Sequence, residues 1–288
     1  MEVLRAQRAG FCMGVDLALC KLNDLIGNTT DRDTIFILGD IIHNPQVVKE
    51  YTEKGVITVH SPDEVPTGAT VVIRAHGIQK EIRAELTKRG VHIVDATCPK
   101  VAAACLLIKR HTADDRTLLL YGEEIHPEVK CLLSYAAGEA VVFDSKDDCE
   151  RLQLDPDKKY CLAAQTTQDK NIFQSIIHFF ENHSELDITI LQTICDATKQ
   201  CQDEAIRIAD KVDFVIVAGG YQSSNTRRLA QVIRAHGTKA LHIETAAELP
   251  LEELRQYRLI GLTAGASTPK EIVDEIQKVL TSLQEKEL

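Results

Sequence analysis

Three times along this chain a short apolar run of strand character stops at a cysteine, and an amphipathic helical run begins directly after it. Val91, Ile93 and Val94 lead to Ala96-Thr97-Cys98-Pro99. Val3-Leu4-Arg5-Ala6 leads to Gly10-Phe11-Cys12-Met13-Gly14, and Ile188-Thr189-Ile190-Leu191 leads to Thr193-Ile194-Cys195-Asp196-Ala197-Thr198. β-Branched residues mark the strands, and Pro99 suits a first helical turn, where an N–H is not needed. A thiol at such a turn lies near the positive end of the helix dipole. That favours the thiolate, the form that binds metals or attacks a substrate.

The segments after the cysteines repeat one order. Behind Cys12 come a helical pattern to about Ile26, the strand Thr34 to Leu38 ending at Ile42-His43-Asn44, a short helix and the strand Val56 to Val59. An acidic turn at Ser61 to Glu64, the strand Thr70 to Arg74 ending at Ala75-His76-Gly77, and a helix from Lys80 to Arg89 complete the round. Behind Cys98 the series recurs through Thr117 to Tyr121, His126-Pro127-Glu128, Ala140 to Phe143, the acidic turn Asp144 to Asp148, and Tyr160 to Ala164 ending in Gln165-Thr166-Thr167. Behind Cys195 it recurs through Asp213 to Val217, Ser223-Ser224-Asn225, Ala240 to Ile243 with Glu244, and Leu259 to Thr263 ending in Ala264-Gly265-Ala266-Ser267-Thr268-Pro269. His126 follows Cys98 at the spacing at which Ser223 follows Cys195. The last unit ends in a helix near Glu285 and lacks a closing strand, which the opening strand of the chain can supply.

Strands alternating with helices, several of them near-continuous apolar runs, predict an α/β fold with mainly parallel sheets covered on both faces. The expected units are residues 1–97, 98–194 and 195–284, with strand 1–6 completing the third. With 288 residues, 44% hydrophobic and 26% charged, the chain is long enough for such cores. Its formal net charge of −10 repels nucleic acid and anionic membranes, so neither partner is expected, and an anionic substrate needs a local pocket. No run approaches the roughly 18 apolar residues of a membrane span, and Met1 to Arg5 lacks the regions of a signal peptide. A cytoplasmic location is expected. Nine cysteines, an odd number without a Cys-x-x-Cys pair, argue against a disulfide framework. Cys20, Cys105 and Cys201 in predicted helices and Cys161 in a predicted strand read as small buried hydrophobes.

In open α/β sheets ligands bind beyond the carboxyl ends of the strands. Cys12, Cys98, Cys195, His43, His76, His126, Thr166, Thr167, Ser223, Ser224, Asn225 and Ser267 all stand at such ends. One loop Ser or Asn is more often a turn former, and one His more often a surface or core residue. Here both relevant strands of every unit end in hydrogen-bonding side chains. Three thiolates leave one position open on a tetrahedral metal, or one iron open on a 4Fe–4S cluster. A closed zinc site would show a fourth Cys or His at local spacing, and no such pattern occurs. The histidines, hydroxyls and amides suit an oxyanion such as phosphate, and the helix start at Ser267-Thr268-Pro269 adds backbone N–H groups. Neither a Walker loop nor Gly-x-Gly-x-x-Gly is present. Glu128 is the carboxylate within these motifs that can transfer a proton.

Phe11-Cys12-Met13-Gly14-Val15, Ile42-His43-Asn44, Ala75-His76-Gly77, Ala96-Thr97-Cys98-Pro99, His126-Pro127-Glu128-Val129, Gln165-Thr166-Thr167, Thr193 to Thr198, Ser223 to Thr226 and Thr263 to Pro269 together resemble the signature set of the 4-hydroxy-3-methylbut-2-enyl diphosphate reductases. These are the last enzymes of the non-mevalonate isoprenoid pathway. The resemblance runs in order over almost the whole chain, to about Thr281. It implies a trefoil of three α/β units around a 4Fe–4S cluster held by Cys12, Cys98 and Cys195, the fourth iron taking the substrate hydroxyl. It implies that His43, His76, His126, Ser223, Ser224, Asn225 and Ser267 hold the diphosphate, with Thr166 and Glu128 at the hydroxyl end. Electrons would come from a ferredoxin or flavodoxin, and the products would be isopentenyl and dimethylallyl diphosphate.

Four positions depart from the family pattern: Arg74 before Ala-His-Gly, the run Ala102 to Ala104, Cys131 in place of a common glycine, and Gln222 in place of a common asparagine. Arg74 either adds a cation near His76, if strand alternation continues, or points away after a bulge. Two other readings of the residues stand beside the reductase: a zinc-thiolate binding or regulatory protein with an anion pocket, and a metal-free thiol enzyme. The second leaves Cys12 and Cys195 without a purpose.

Overall fold

The repeated order of strands and helices is realised, in a computed structural model, as three four-stranded sheets in which every pairing is parallel. The structure describes residues 2–28 and 34–285. It opens with β1 (Glu2–Arg5), α1 (Met13–Asn28), β2 (Ile35–Leu38), α2 (Pro45–Glu53), β3 (Ile57–Val59), β4 (Thr70–Ile73), α3 (Lys80–Lys88) and β5 (His92–Asp95). Next come α4 (Pro99–Thr112), β6 (Arg116–Tyr121), α5 (Pro127–Ser134), β7 (Ala140–Phe143), α6 (Lys146–Glu150), β8 (Lys159–Ala164), α7 (Lys170–Glu181) and β9 (Asp187–Ile190). The last round is α8 (Asp196–Ala209), β10 (Phe214–Ala218), α9 (Ser224–Ala235), β11 (Lys239–Ile243), α10 (Leu251–Leu254), β12 (Leu259–Ala264) and α11 (Lys270–Glu285).

The three sheets share one strand order: β3-β2-β4-β5, β7-β6-β8-β9 and β11-β10-β12-β1. In the third, β1 lies beside β12 in the register Glu2 with Leu259 to Arg5 with Leu262, so the first strand of the chain sits in the sheet of the last. Strand 1–6 was expected there; its Met1 lies outside the described residues. The described residues form two compact units. Residues 2–16, 42–51 and 196–285 hold the sheet β11-β10-β12-β1, and residues 17–28, 34–41 and 52–195 hold the other two.

Period-2 alternation fixes which side chain faces which helix layer. Along β10, Phe214, Ile216 and Ala218 join a core with Val273, Ile276 and Leu280 of α11. Val215 and Val217 face the other way, onto Ala205 and Ile208 of α8 and Leu229 and Ile233 of α9. Along β6, Leu118 and Leu120 meet Val101, Ala104 and Ile108 of α4, whereas Leu119 and Tyr121 meet Phe173, Ile176 and Ile177 of α7. Each fully buried Leu or Ile contributes about 1.5–3 kcal/mol. Two faces of burial are therefore what make these strands apolar throughout. No described helix is long and apolar enough to cross a membrane.

The acidic turns of the sequence are helix caps. Ser61 and Thr245 open short 3-10 turns with capping boxes closed by Glu64 and Glu248, and Ser145 caps α6 through the backbone N–H of Asp148. Each satisfies N–H groups that the first turn leaves without partners. Two expectations about thiols need correcting. Cys20 is exposed and Cys201 half-buried, because α1 turns Ala18, Leu19 and Leu22 inward and leaves Cys20 on the face of Met13 and Leu17. In α8 the inward residues are Thr198, Gln202, Ala205 and Ile208, which puts Cys201 on the flank. Cys105 and Cys161 are buried as expected.

Candidate active site

One relationship recurs in all three sheets. The backbone N–H of each turn cysteine donates to the carbonyl of a residue just beyond the neighbouring strand: Cys12 to Ala266 at 3.1 Å, Cys98 to Ala75 at 2.9 Å and Cys195 to Thr166 at 3.0 Å. Parallel pairing of β1 with β12, β5 with β4 and β9 with β8 carries the ladder past the strand ends and so fastens each cysteine to the motif that follows the adjacent strand. All three cysteines are half-buried, and Cys98 is the N-cap of α4 without a side-chain bond to its helix.

The unit with two sheets holds Cys98, Cys195, His76, His126, Glu128 and Thr166. Thr166 joins several of them. Its carbonyl accepts from Cys195, its N–H donates to Oε1 of Glu128 at 2.6 Å, and its hydroxyl donates to Oε2 at 3.0 Å. The N–H of Glu128 in turn donates to Nδ1 of His126 at 3.1 Å. His126 is the N-cap of α5 and Glu128 stands in its first turn, where a carboxylate is favoured by the helix dipole. Burial wins nevertheless: Glu128 is 2% exposed, and desolvation pushes its carboxyl up to about 7 against the pull of the two Thr166 bonds. Because Nδ1 of His126 accepts a hydrogen bond, the proton of the neutral ring sits on Nε2. The rings of His76 and His126 meet edge to face, their centroids 5.3 Å apart.

The other unit holds Cys12, His43, Ser223, Ser224, Asn225 and Ser267. Ser223 caps α9 by accepting from the N–H of Thr226, and it receives the hydroxyl of Ser267 at 3.2 Å. Ser224 and Asn225 lie in the first turn of that helix, whose N–H end suits an anion. A Cβ on Gly220 would stand 2.6 Å from the carbonyl oxygen of His43, so the His43 loop rests directly on the β10-to-α9 turn.

Two departures from the family pattern are explained by packing. β4 ends at Ile73, and residues 74–77 form a turn closed by the Gly77 N–H and the Arg74 carbonyl, so strand alternation no longer places Arg74 with His76. Its guanidinium lies over Gly39 (φ +72°), where a Cβ would come within 2.2 Å of Nη1. Cys131 fills the space beside Gly77, donating to the Ile78 carbonyl at 3.2 Å.

The thiols divide by environment. The Cys131 contact and burial push the Cys105 thiol up; burial and the nearby Glu150 carboxylate push Cys149 up to about 12, and burial pushes Cys161 up to about 11. Those groups stay protonated, whereas a metal ligand must be a thiolate. Thiolates are the usual ligands of iron-sulfur clusters, and Cys12, Cys98 and Cys195 are each half-buried at a strand-to-helix turn.

The model of the LytB protein family matches residues 3–281. The chain belongs to the LytB family. Curated LytB relatives named 4-hydroxy-3-methylbut-2-enyl diphosphate reductase include one from Oleidesulfovibrio alaskensis, 53% identical over 284 residues (98% of this chain, all of the relative). Another, from Geobacter sp. strain M21, is 38% identical over 277 residues (96% and 95%). A solved E-1-hydroxy-2-methyl-but-2-enyl-4-diphosphate reductase from Plasmodium falciparum superposes with a TM-score of 0.92 at 26% identity, covering 97% of this chain and 88% of that one. A second solved reductase, described as the terminal enzyme of the non-mevalonate pathway, gives 0.68 at 33% identity (98% and 100%).

Beyond the residues expected from the sequence, this LytB chain uses three supports. Arg227 donates to Ser224 Oγ and to the Tyr221 carbonyl, both at 3.0 Å; its position three residues after Ser224 on a helix was the available signal. Thr193 Oγ1 bridges the N–H and carbonyl of Ala164, tying the end of β8 to the Cys195 turn. Asn44, 2% exposed, accepts from the Val47 N–H before α2, which Asn44-Pro45 announces as a cap.

Proposed function

We propose that the chain is an oxidoreductase that removes the hydroxyl of 4-hydroxy-3-methylbut-2-enyl diphosphate as water, taking up two electrons and two protons and giving isopentenyl and dimethylallyl diphosphate. The bonded series Cys195, Thr166, Glu128, His126 supports this reading: it joins a turn cysteine, a buried acid and a histidine in one hydrogen-bonded network. Cys12, Cys98 and Cys195 would hold a 4Fe–4S cluster, which when bound supplies electrons one at a time. His43, His76, His126, Ser223, Ser224, Asn225 and Ser267 hold the diphosphate. Glu128, whose carboxyl burial pushes up to about 7, gives its proton to the departing oxygen, which as hydroxide is a poor leaving group. Thr166 fixes the carboxyl and sets which oxygen faces the substrate. A ferredoxin or flavodoxin delivers the electrons. Nine cysteines outside any disulfide support a reducing, cytoplasmic setting. The same reading divides the chain into repeats 1–97, 98–194 and 195–284.

Purification without oxygen tests it. Iron and sulfide in equal amounts near four per chain, with conversion of the diphosphate by reduced methyl viologen, support the proposal. A colourless protein with stoichiometric zinc and no turnover overturns it in favour of a zinc-thiolate protein.

A further inference from the structure

Helix α4 starts directly after its N-cap Cys98, and the face it turns away from its sheet is apolar where it runs nearest to that cysteine. Val101, Ala104, Cys105 and Ile108 are buried in the core with β6 and β8. On the outside stand Pro99, Ala102, Ala103, Leu106 and Leu107, all exposed, Leu106 to 63%. Pro99, Ala102, Ala103 and Leu106 follow the spacing of one helical stripe, on a surface helix whose outer face is ordinarily polar. Cations frame the stripe. Lys100 flanks its first turn, Lys109 and Arg110 follow it, and α4 contains no carboxylate, although the chain carries a net charge of −10.

The proposed function, on which this inference rests, requires electrons from another protein. We infer that the outer face of α4 is the docking surface for an acidic one-electron carrier protein, with Leu106 and Leu107 in apolar contact and Lys100, Lys109 and Arg110 steering the approach. Charge complementarity selects this occupant. A basic rim speeds encounter with an acidic partner and repels a basic one. A second copy of the chain fits poorly, since a twofold interface sets the same patch against itself and cation would meet cation. Distance is favourable: Leu106 lies eight residues past Cys98, about 12 Å along the helix axis, so a carrier seated over Ala102 to Leu106 brings its redox group near the cysteine. Each encounter oxidises one reduced carrier by one electron, and two encounters with two protons release the substrate hydroxyl as water.

The test compares two reductants on the anaerobically purified holoenzyme: a reduced acidic ferredoxin and the small molecule methyl viologen. Leu106→Glu, and separately the pair Lys109→Glu and Arg110→Glu, are expected to lower ferredoxin-driven kcat/KM about tenfold or more and to weaken ferredoxin binding in calorimetry by a similar factor. Viologen-driven turnover should stay within about twofold of the parent, and Leu106→Met should restore the ferredoxin rate. Ferredoxin binding and ferredoxin-driven rates unchanged in both variants overturn the docking surface. So does a result in which Leu106→Glu splits a dimer and leaves ferredoxin-driven turnover intact, which makes the face a self-interface. Absence of viologen turnover in the parent instead defeats the proposed function, and calorimetry then still decides the surface.

Discussion

Thr166 donates to both oxygens of Glu128, through its N–H to Oε1 at 2.6 Å and through its hydroxyl to Oε2 at 3.0 Å. The carboxyl is thereby held in one orientation at a buried position. Gln in its place keeps the shape, and the Thr166 hydroxyl, which also accepts, can receive the new NH2 group. Glu128→Gln is expected to retain iron and bind substrate almost normally, with turnover reduced about 10²- to 10⁴-fold. Steady-state kinetics at saturating substrate check this; a loss of only a few-fold would assign the proton to another donor, His126 first.

The same carboxyl makes activity and stability depend on pH. Burial raises Glu128 to about 7, so its acidic form is lost as pH rises through that value. We expect a descending limb of kcat/KM near pH 7 that is absent in Glu128→Gln. Thr166→Val removes a bond that favours the carboxylate and should move the limb to higher pH.

For stability the sign is opposite to that of a salt-bridged acid. The native state holds an extra proton between the unfolded value, about 4.3, and the folded value. Stability conferred by the neutral form is complete below that window, falls across it and is flat above about pH 7. Urea unfolding of the parent should therefore lose on the order of 1 to 3 kcal/mol between pH 4.5 and 7.5 relative to Glu128→Gln. Parallel pH curves for the two proteins would show that Glu128 is not desolvated in solution.

Cysteine replacements should separate cleanly. Ser at Cys12, Cys98 or Cys195 is expected to abolish stable iron binding, whereas Ser at Cys20, Cys105, Cys131, Cys149, Cys161 or Cys201 should leave iron content near that of the parent. Metal analysis and visible absorption of anaerobic preparations measure this. Full iron in the Cys195 variant would remove that residue from the ligand set.

Diphosphate affinity provides a further test. Replacing His43 or His76 by Phe leaves a phosphate oxygen unpaired at about 1 to 3 kcal/mol, which is about tenfold to a hundredfold in affinity. Gly220→Ala reaches the same site indirectly, because its Cβ would press on the His43 carbonyl and displace that loop. Its inorganic diphosphate affinity, measured by calorimetry, should fall alongside that of His43→Phe. Parent-like binding in His43→Phe and His76→Phe would make these histidines structural.

Periodicity and turn chemistry are local, so the sequence by itself determined the three rounds of strand and helix, the cysteines at strand-to-helix turns and the polar residues at strand ends. It also placed the first strand beside the last, since the third round lacked a strand. Tertiary structure decided the rest. The 2.6 Å bond from Thr166 to Glu128 spans 38 residues and depends on how the end of β8 meets the start of α5, which no local pattern encodes. The desolvation of Glu128 is a property of its surroundings, as is the outward position of Cys20, which follows the rotation of α1 against its core. Arg74 makes the same point: the sequence left open whether it joins His76 by strand alternation or points away after a bulge, and the structure ends β4 at Ile73 and packs the guanidinium on Gly39. Residue type and spacing determine which groups stand at the strand ends; packing determines which of them touch, which are dry and therefore which can carry a proton.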